Sequence, residues 1–530
     1  MRTEGIEAGA GPKAPSGAMG RRQVLESLSG LLLVLFVAMI SSTVVSIALP
    51  RIVGSLNGTQ TQYTWVVTAT LLSATATTPI WGKLADLFNK KTLVQVAIVI
   101  FVVGSMVAGL SQSAGQLIAA RAFQGIGVGG LQALVQVVIA AIIPPRERGR
   151  YNGLLGAVMA VATVGGPLLG GLIVDVSWLG WRWCFFVGVP IAVIAFVVLQ
   201  RTLRLATVRR ANVQVDYLGA ALIAAGVSVL LIWVSFVDNS FDWLSWQTAV
   251  MVAGGLVLLA LAVLVESRVR EPIVPLTIVV QRTPALAIVA SLAVGMAMFG
   301  GAVFLGQYFQ VGRGYSPTEA GLLTIPLMAG VLVSSTISGQ LISRTGRIKP
   351  YIVVGAVVLV LGFLALGMVD HATALWVVGA AMAVVGIGVG MTMQNLVLAV
   401  QNDVPLRDLG AASASVTFFR SLGGTIGVSV LGAVLANRVT ADLTAALHVP
   451  EGQASTGSVS ALNLAALPPR VQQVVHTVYG DATAHIFLIS AAVAVVGVLA
   501  ALLLKPIVLR DTIDLEKRKE EAAASDPLVG

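Results

Sequence analysis

Apolar stretches of about 20 residues, the length that crosses a hydrocarbon core of about 30 Å, recur along the whole chain between short polar segments. They predict spanning helices near residues 30–50, 62–82, 92–110, 115–142, 151–173, 182–200, 217–236, 246–265, 284–308, 317–342, 350–369, 373–399, 410–436 and 484–505, fourteen in all. Of the 33 Lys and Arg residues, five lie on the side opposite the N-terminus (Arg51, Arg182, Arg313, Arg438, Arg470) and two lie inside spans (Arg121, Arg420); the other 26 share the N-terminal side. By the positive-inside rule that side is cytosolic, and so are both termini. One missed or invented span would invert every later loop and destroy this bias.

Two basic segments, Leu203–Val215 and Arg268–Thr283, bracket spans seven and eight, which are joined by a short acidic segment, Asp238–Trp246. These two spans read as an inserted hairpin, leaving six before and six after. The expected organisation is a cytosolic tail (1–29), a six-helix bundle (30–200), the hairpin with its basic linkers (201–283), a second six-helix bundle (284–506) and a cytosolic tail (507–530). A long outer loop, 437–481, is expected inside the second bundle, with its amphipathic piece Val471–Tyr479 lying along the membrane surface. The fold class is all-α integral membrane. A faint internal repeat supports two halves: GKLADLFNKK (Gly82–Lys91) follows the second span and GQLISRTGRI (Gly339–Ile348) follows the tenth, each opening on Gly with Leu two positions on.

Composition agrees: 57% of residues are hydrophobic and 11% charged, with mean hydropathy +0.91, where soluble domains are about 25% charged. The net charge of +9 is scattered between apolar runs instead of forming one stripe with interleaved aromatics, which excludes nucleic acid as a partner. Cys184 is the only cysteine, so no intrachain disulfide can form. The four histidines show no ligand spacing, and neither a nucleophile–base pair nor a Gly-rich Lys-Ser/Thr phosphate loop is present. No cofactor, no metal and no enzymatic activity are expected.

Two features need more than burial in lipid to explain them. Arg121 stands inside a span, followed by Gln124, Gly125, Gly127, Gly129 and Gly130; an arginine there costs about 2.5–3.5 kcal/mol on insertion scales and normally faces a polar interior, unless it snorkels to the boundary. The next span carries Gly165, Gly166, Pro167, Gly170 and Gly171, which bare one helix face for a close neighbour, either for plain packing or for bending. Arg420 lies about 15 Å into its own span.

In order along the chain, STVVSIALP from Ser42, GKLADLFNKK from Gly82, LIAARAFQGIGVGG from Leu117, AVATVGGPLLGG from Ala160, GWRWCFFVGVP from Gly180, GYSPTEAG from Gly314 and FFRSLGGTIGV from Phe418 resemble the signatures of the major facilitator superfamily, and within it of the fourteen-helix drug/proton antiporters. The resemblance implies two bundles with a substrate site between them near the midplane. It implies that Gly82, Asp86, Lys90 and Lys91 form a charge latch that biases two conformations, the alternative being a solvated charge cluster, and that Gly166 and Pro167 belong to the antiporter helix signature. Asn89 stands where the loop signature usually has a second glycine. The family's first span usually carries an aspartate before Thr-Val-Val; here that position is Ser41. No other Asp or Glu lies mid-span, and Asp175, beyond the Gly-Pro helix on a span placed by the resemblance beside Arg121, is the substitute candidate for proton coupling.

The expected function is a secondary active exporter of hydrophobic small molecules, drugs or antibiotics, working by alternating access with proton coupling. The alternative is an uncoupled or lipid- or anion-handling transporter of the same fold, because two buried arginines without a central carboxylate disfavour cations. Arg121, Asp175 and Arg420 are assigned to transport and coupling, and Ser41, Gln124, Gln307 and Gln310 to the substrate pathway. The expected partners are the substrate, protons and membrane lipid, for a monomer in the cell membrane.

Overall fold

A computed structural model describes residues 21–57, 60–176, 179–203, 216–237, 241–269, 271–447 and 468–509, and among these residues no strand forms. Fourteen long helices follow one another: α1 Arg21–Ser55, α2 Gln60–Leu87, α3 Lys90–Gly109, α4 Ala114–Ile142, α5 Pro145–Asp175, α6 Gly188–Thr202, α7 Tyr217–Phe236, α8 Trp246–Glu266, α9 Arg282–Gln307, α10 Ile325–Thr345, α11 Lys349–Leu366, α12 Leu375–Asp403, α13 Leu409–Leu447 and α14 Pro469–Leu503. Among the described residues, thirteen spans are long and apolar enough to cross a membrane. The fourteenth is α2, whose threonines lower its hydropathy; Thr77 and Thr78 donate to the carbonyls of Ser73 (2.6 Å) and Ala74 (2.7 Å) one turn back, so their hydroxyls cost little inside the bundle.

Two segments differ from expectation. Helix α13 continues to Leu447 and α14 begins at Pro469, so the outer loop expected over 437–481 is helical at both ends; its remainder, 448–467, lies outside the described residues. The piece Val471–Tyr479 does not lie along the surface but forms the first turns of α14. Its polar side chains are used within the fold: His476 Nδ1 meets the Val311 carbonyl at 2.6 Å, and Tyr479 donates its hydroxyl to Gln307 Oε1 at 3.0 Å. The tails 1–20 and 510–530, the linker 204–215 and Asp238 also lie outside the described residues.

Apolar cores form on the two sides of the hairpin, one over Leu28–Leu203 that also takes in Leu409 and Ala414 of α13, with a companion around Ile40–Phe185, the other over Ile278–Leu509. The hairpin does not stand apart. Ile223, Val227 and Leu231 of α7 pack with Ala76 of α2, Ile273 of the following linker and Phe418 of α13, so α7 rests on the seam between the halves. Helix α8 turns Leu256, Val257, Val263 and Leu264 outward. The linker behind it is held by buried Glu266, whose carboxylate accepts from the amides of Ile273 (2.9 Å) and Val274 (3.1 Å).

At the end that carries the basic loops, two crossings bring the halves into backbone contact. On one seam a Cβ added to Gly410 of α13 would stand 2.3 Å from the Gly82 carbonyl oxygen of α2; on the other, a Cβ added to Gly339 of α10 would stand 1.9 Å from the Gly149 carbonyl oxygen of α5. Gly82 and Gly339 are the opening residues of the two repeated loop motifs. Only a residue without Cβ permits this approach. Gly339→Leu is expected to force the basic ends apart at an overpacking cost of about 1–3 kcal/mol while leaving each core intact. Spin labels on exposed Phe88 and Thr345, one per half, would then report a longer distance, and an unchanged distance would refute the assignment.

Candidate functional site

In the first half, the polar residues picked from the sequence converge. Helix α4 starts at Ala114, capped by Ser113, which puts Arg121 about 10 Å along the helix. Its Nη1 donates to Gln124 Oε1 at 2.7 Å and its Nε to the Val66 carbonyl of α2 at 3.4 Å, and the guanidinium lies over the Phe185 ring at 6.0 Å. Gln124, fully buried, passes the connection on: its Nε2 donates to Ser105 of α3 at 2.7 Å and to Ser41 of α1 at 3.2 Å. Four helices thus share one network, and Arg121 is a buried member of it, not a snorkelling residue. The glycines around it make the network possible. Gly104 lets α3 meet α4 at Gln124, Gly125 and Gly129 admit the α2 backbone, and Gly127 admits α3.

At the basic end, inter-half bonds close the molecule. Asp86, at the foot of α2, accepts from the amides of Gly410 (2.7 Å) and Ala411 (2.8 Å), the first turn of α13, where a helix presents free N–H groups and the positive end of its dipole. The opposite seam carries the inverse arrangement: Arg146 of α5 donates to the Ser343 carbonyl (3.2 Å) and the Arg344 carbonyl (3.5 Å) in the last turn of α10. Between them, Arg148 bonds the Ile143 and Ala140 carbonyls and Gln401 Oε1 of α12 (2.8 Å), Gln401 continues to Ser413 of α13 (3.0 Å), and Gln136 of α4 donates to Gln394 of α12 (3.0 Å). Buried Lys83 reaches Glu271 of the hairpin linker at 2.6 Å.

The remaining expected residues are more dispersed. Lys91 donates its ammonium to the Gln200 carbonyl at 2.7 Å, bracing α3 against α6, while Lys90 stands at the start of α3. Asn89 has a local reason to replace glycine, because its side chain caps α3 by accepting from the Lys91 amide at 2.9 Å. A Cβ on Gly166 would stand 2.0 Å from Thr43 Oγ1 of α1, and Thr43 donates across to the Ala162 carbonyl at 3.0 Å, so this part of α5 is packed face to face with α1. Pro167 and Asp175 belong to α5, but their side chains lie outside the described residues. Arg420 is buried in the other half, donating to the Met393 carbonyl at 3.4 Å, and is not joined to the Arg121 network. Gln307 pairs with Tyr479, and Gln310 sits half-buried in the π-turn Tyr308–Gly312 that ends the ninth span. Among the described side chains, neither Arg121 nor Arg420 has a carboxylate partner.

The Major Facilitator Superfamily model matches residues 31–428. The chain belongs to this family. A transporter of this kind has no enzymatic activity to assign, and the chain is a multi-pass membrane protein. It is 36% identical over 520 residues to an uncharacterized MFS-type transporter of Mycobacterium tuberculosis (strain ATCC 25618 / H37Rv), covering 95% of this chain and 74% of that protein. It is 31% identical over 534 residues to the multidrug transporter protein MdtP of Bacillus subtilis (strain 168), covering 96% of this chain and 97% of MdtP. The solved structure of the MFS proton:xylose symporter XylE superposes with a TM-score of 0.60 at 14% identity, covering 94% of this chain and 99% of XylE, which shows the shared fold.

For this MFS transporter, sequence reasoning missed Ser105, Arg148, Gln401, the Gln136–Gln394 pair and the Lys83–Glu271 pair. Amides inside apolar runs were a usable signal for Gln136 and Gln394. Arg148 and Lys83 were counted as loop charges, and nothing in a linear reading marks them as buried. Arg121→Ala is expected to leave membrane expression near the parent level and to lower export at least about tenfold, since buried Gln124 loses a partner worth about 1.5–3 kcal/mol; export at the parent rate would show the network to be structural. Gly166→Leu, which drives a side chain into Thr43, is expected to abolish export in a whole-cell efflux assay.

Proposed function

We propose that this MFS protein is a secondary active exporter of hydrophobic small molecules, working by alternating access in the cell membrane with its basic end and both termini in the cytosol. The observation that carries this reading is that the closed end is held by glycine crossings and hydrogen bonds between the halves, which can part while the first half's core gives up only Leu409 and Ala414 of α13. The kinship with MdtP supports a drug-like substrate, and the buried Arg121–Gln124–Ser41 network supplies polar groups on the first half. Gln307 and Gln310 are proposed to contribute to the pathway from the second half. The test is export of a lipophilic dye from cells expressing the protein, set against cells carrying Arg121→Ala.

Proton coupling is part of the proposal, with Asp175 as the exchanging group in place of the acid that Ser41 does not provide. A pH gradient alone should then drive uptake into inverted vesicles, and Asp175→Asn should remove that response while substrate still binds; full pH-driven transport in this variant would eliminate Asp175. Ser41→Asp should strengthen the response. A second reading, export of an anion down the membrane potential, is favoured by two buried guanidinium groups without a described carboxylate partner; it would draw on about 2.3 kcal/mol per charge per 100 mV and would ignore the pH gradient. Under either reading, single cysteines along α8 should label equally with and without substrate, whereas cysteines at Gln124 and Gln307 should be protected.

A further inference from the structure

The hairpin rests on the α2–α13 seam, and at the opposite seam the basic ends of α5 and α10 enclose a cavity of ≈ 660 Å³. Its walls include Arg146, Glu147 and Arg150 from α5, and Gln340, Ser343 and Arg344 from α10. Three guanidinium groups face one carboxylate. Arg146 is bonded to the end of α10, but the side chains of Arg150 and Arg344 are exposed and make no hydrogen bond or ion pair among the described residues. One belongs to each half.

Each of these two arginines also terminates an outward apolar stripe. On α10, Val333, Ile337 and Leu341 follow one another at four-residue spacing, all exposed, with Arg344 three residues further on. On α5, Leu154 and Val161 are exposed on the face that carries Arg150, four and eleven residues away. Apolar tracks that run along two spanning helices and end in a cationic cavity have the chemistry of a phospholipid, with acyl chains on the tracks and phosphate between the guanidiniums. We propose that this cavity holds the phosphate headgroup of an anionic phospholipid, gripped by Arg150 and Arg344 across the seam. Because the two arginines come from different halves, the grip exists only while the basic ends are together, so the lipid favours the closed state of that end. This inference concerns the outer flank of the seam and does not depend on which solute is exported or whether protons are exchanged.

The test uses the full chain in detergent and in nanodiscs. Native mass spectrometry should show phosphatidylglycerol retained about tenfold more than phosphatidylcholine, with that preference lost in Arg150→Gln/Arg344→Gln and kept in Arg150→Lys/Arg344→Lys. Spin labels at Phe88 and Thr345 should shift toward the shorter distance in phosphatidylglycerol nanodiscs relative to phosphatidylcholine ones. Equal phosphatidylglycerol retention by the parent and the Gln variant would overturn the site. Displacement of the lipid by millimolar inorganic phosphate, with the same distance shift, would show a free-phosphate site and overturn the lipid. An unchanged distance distribution would overturn the clamp.

Discussion

The structure depends on two places where the halves touch through bare backbone. Gly82 against Gly410 and Gly149 against Gly339 allow helix axes to approach more closely than any side chain permits, and the polar bonds of the basic end form around those points. Without that approach Asp86 could not reach the Gly410 and Ala411 amides, nor Arg146 the carbonyls of Ser343 and Arg344. In a bilayer, where lipid tails are as apolar as leucine, small residues of this kind and the hydrogen bonds they admit are what hold helices together. Helix α4 uses the same device within one half, where its glycines bring α2 and α3 close enough for Arg121, Gln124, Ser41 and Ser105 to satisfy one another.

The architecture was largely legible because a membrane imposes simple rules. Span length, basic-side bias and the two bracketing linkers predicted helix number and order, and the Gly82 and Gly339 motifs turned out to mark equivalent crossings in the two halves. The segment 437–481 misled because Gly, Ser and Pro there suggested a loop, whereas the bonds of His476 and Tyr479 to the end of the ninth span extend α14 beyond the apolar run. The bracketing linkers mark the hairpin but not where it docks: the apolar stripe of α7 matches the groove between α2 and α13, a complementarity that no single-chain pattern displays.

Site residues were legible to the extent that their chemistry was out of place. An arginine and a glutamine inside an apolar run drew attention to α4, but the sequence assigned Arg121 to coupling and Gln124 and Ser41 to the substrate pathway without joining them, and Ser105 is too ordinary in a span to stand out. Charges at span ends carry no such contrast. Arg146, Arg148 and Arg150 read as one basic loop in the sequence and share the first turns of α5 in the structure, yet the first binds a helix end across the seam, the second is buried against Gln401 and the third lines the cavity at that seam.

The two latches at the basic end also differ in what can undo them. Asp86 has a short side chain that must sit directly against the Gly410 and Ala411 amides, so its bonds end once the helices separate by more than a hydrogen-bond length. Arg146 reaches the Ser343 and Arg344 carbonyls on a long flexible stem that can follow them for a short way, so the edge held by Asp86 lets go first. The halves would then not part in parallel. They would swing about the α5–α10 edge, like a door whose hinge stands opposite the hairpin, so the first gap would open beside α7.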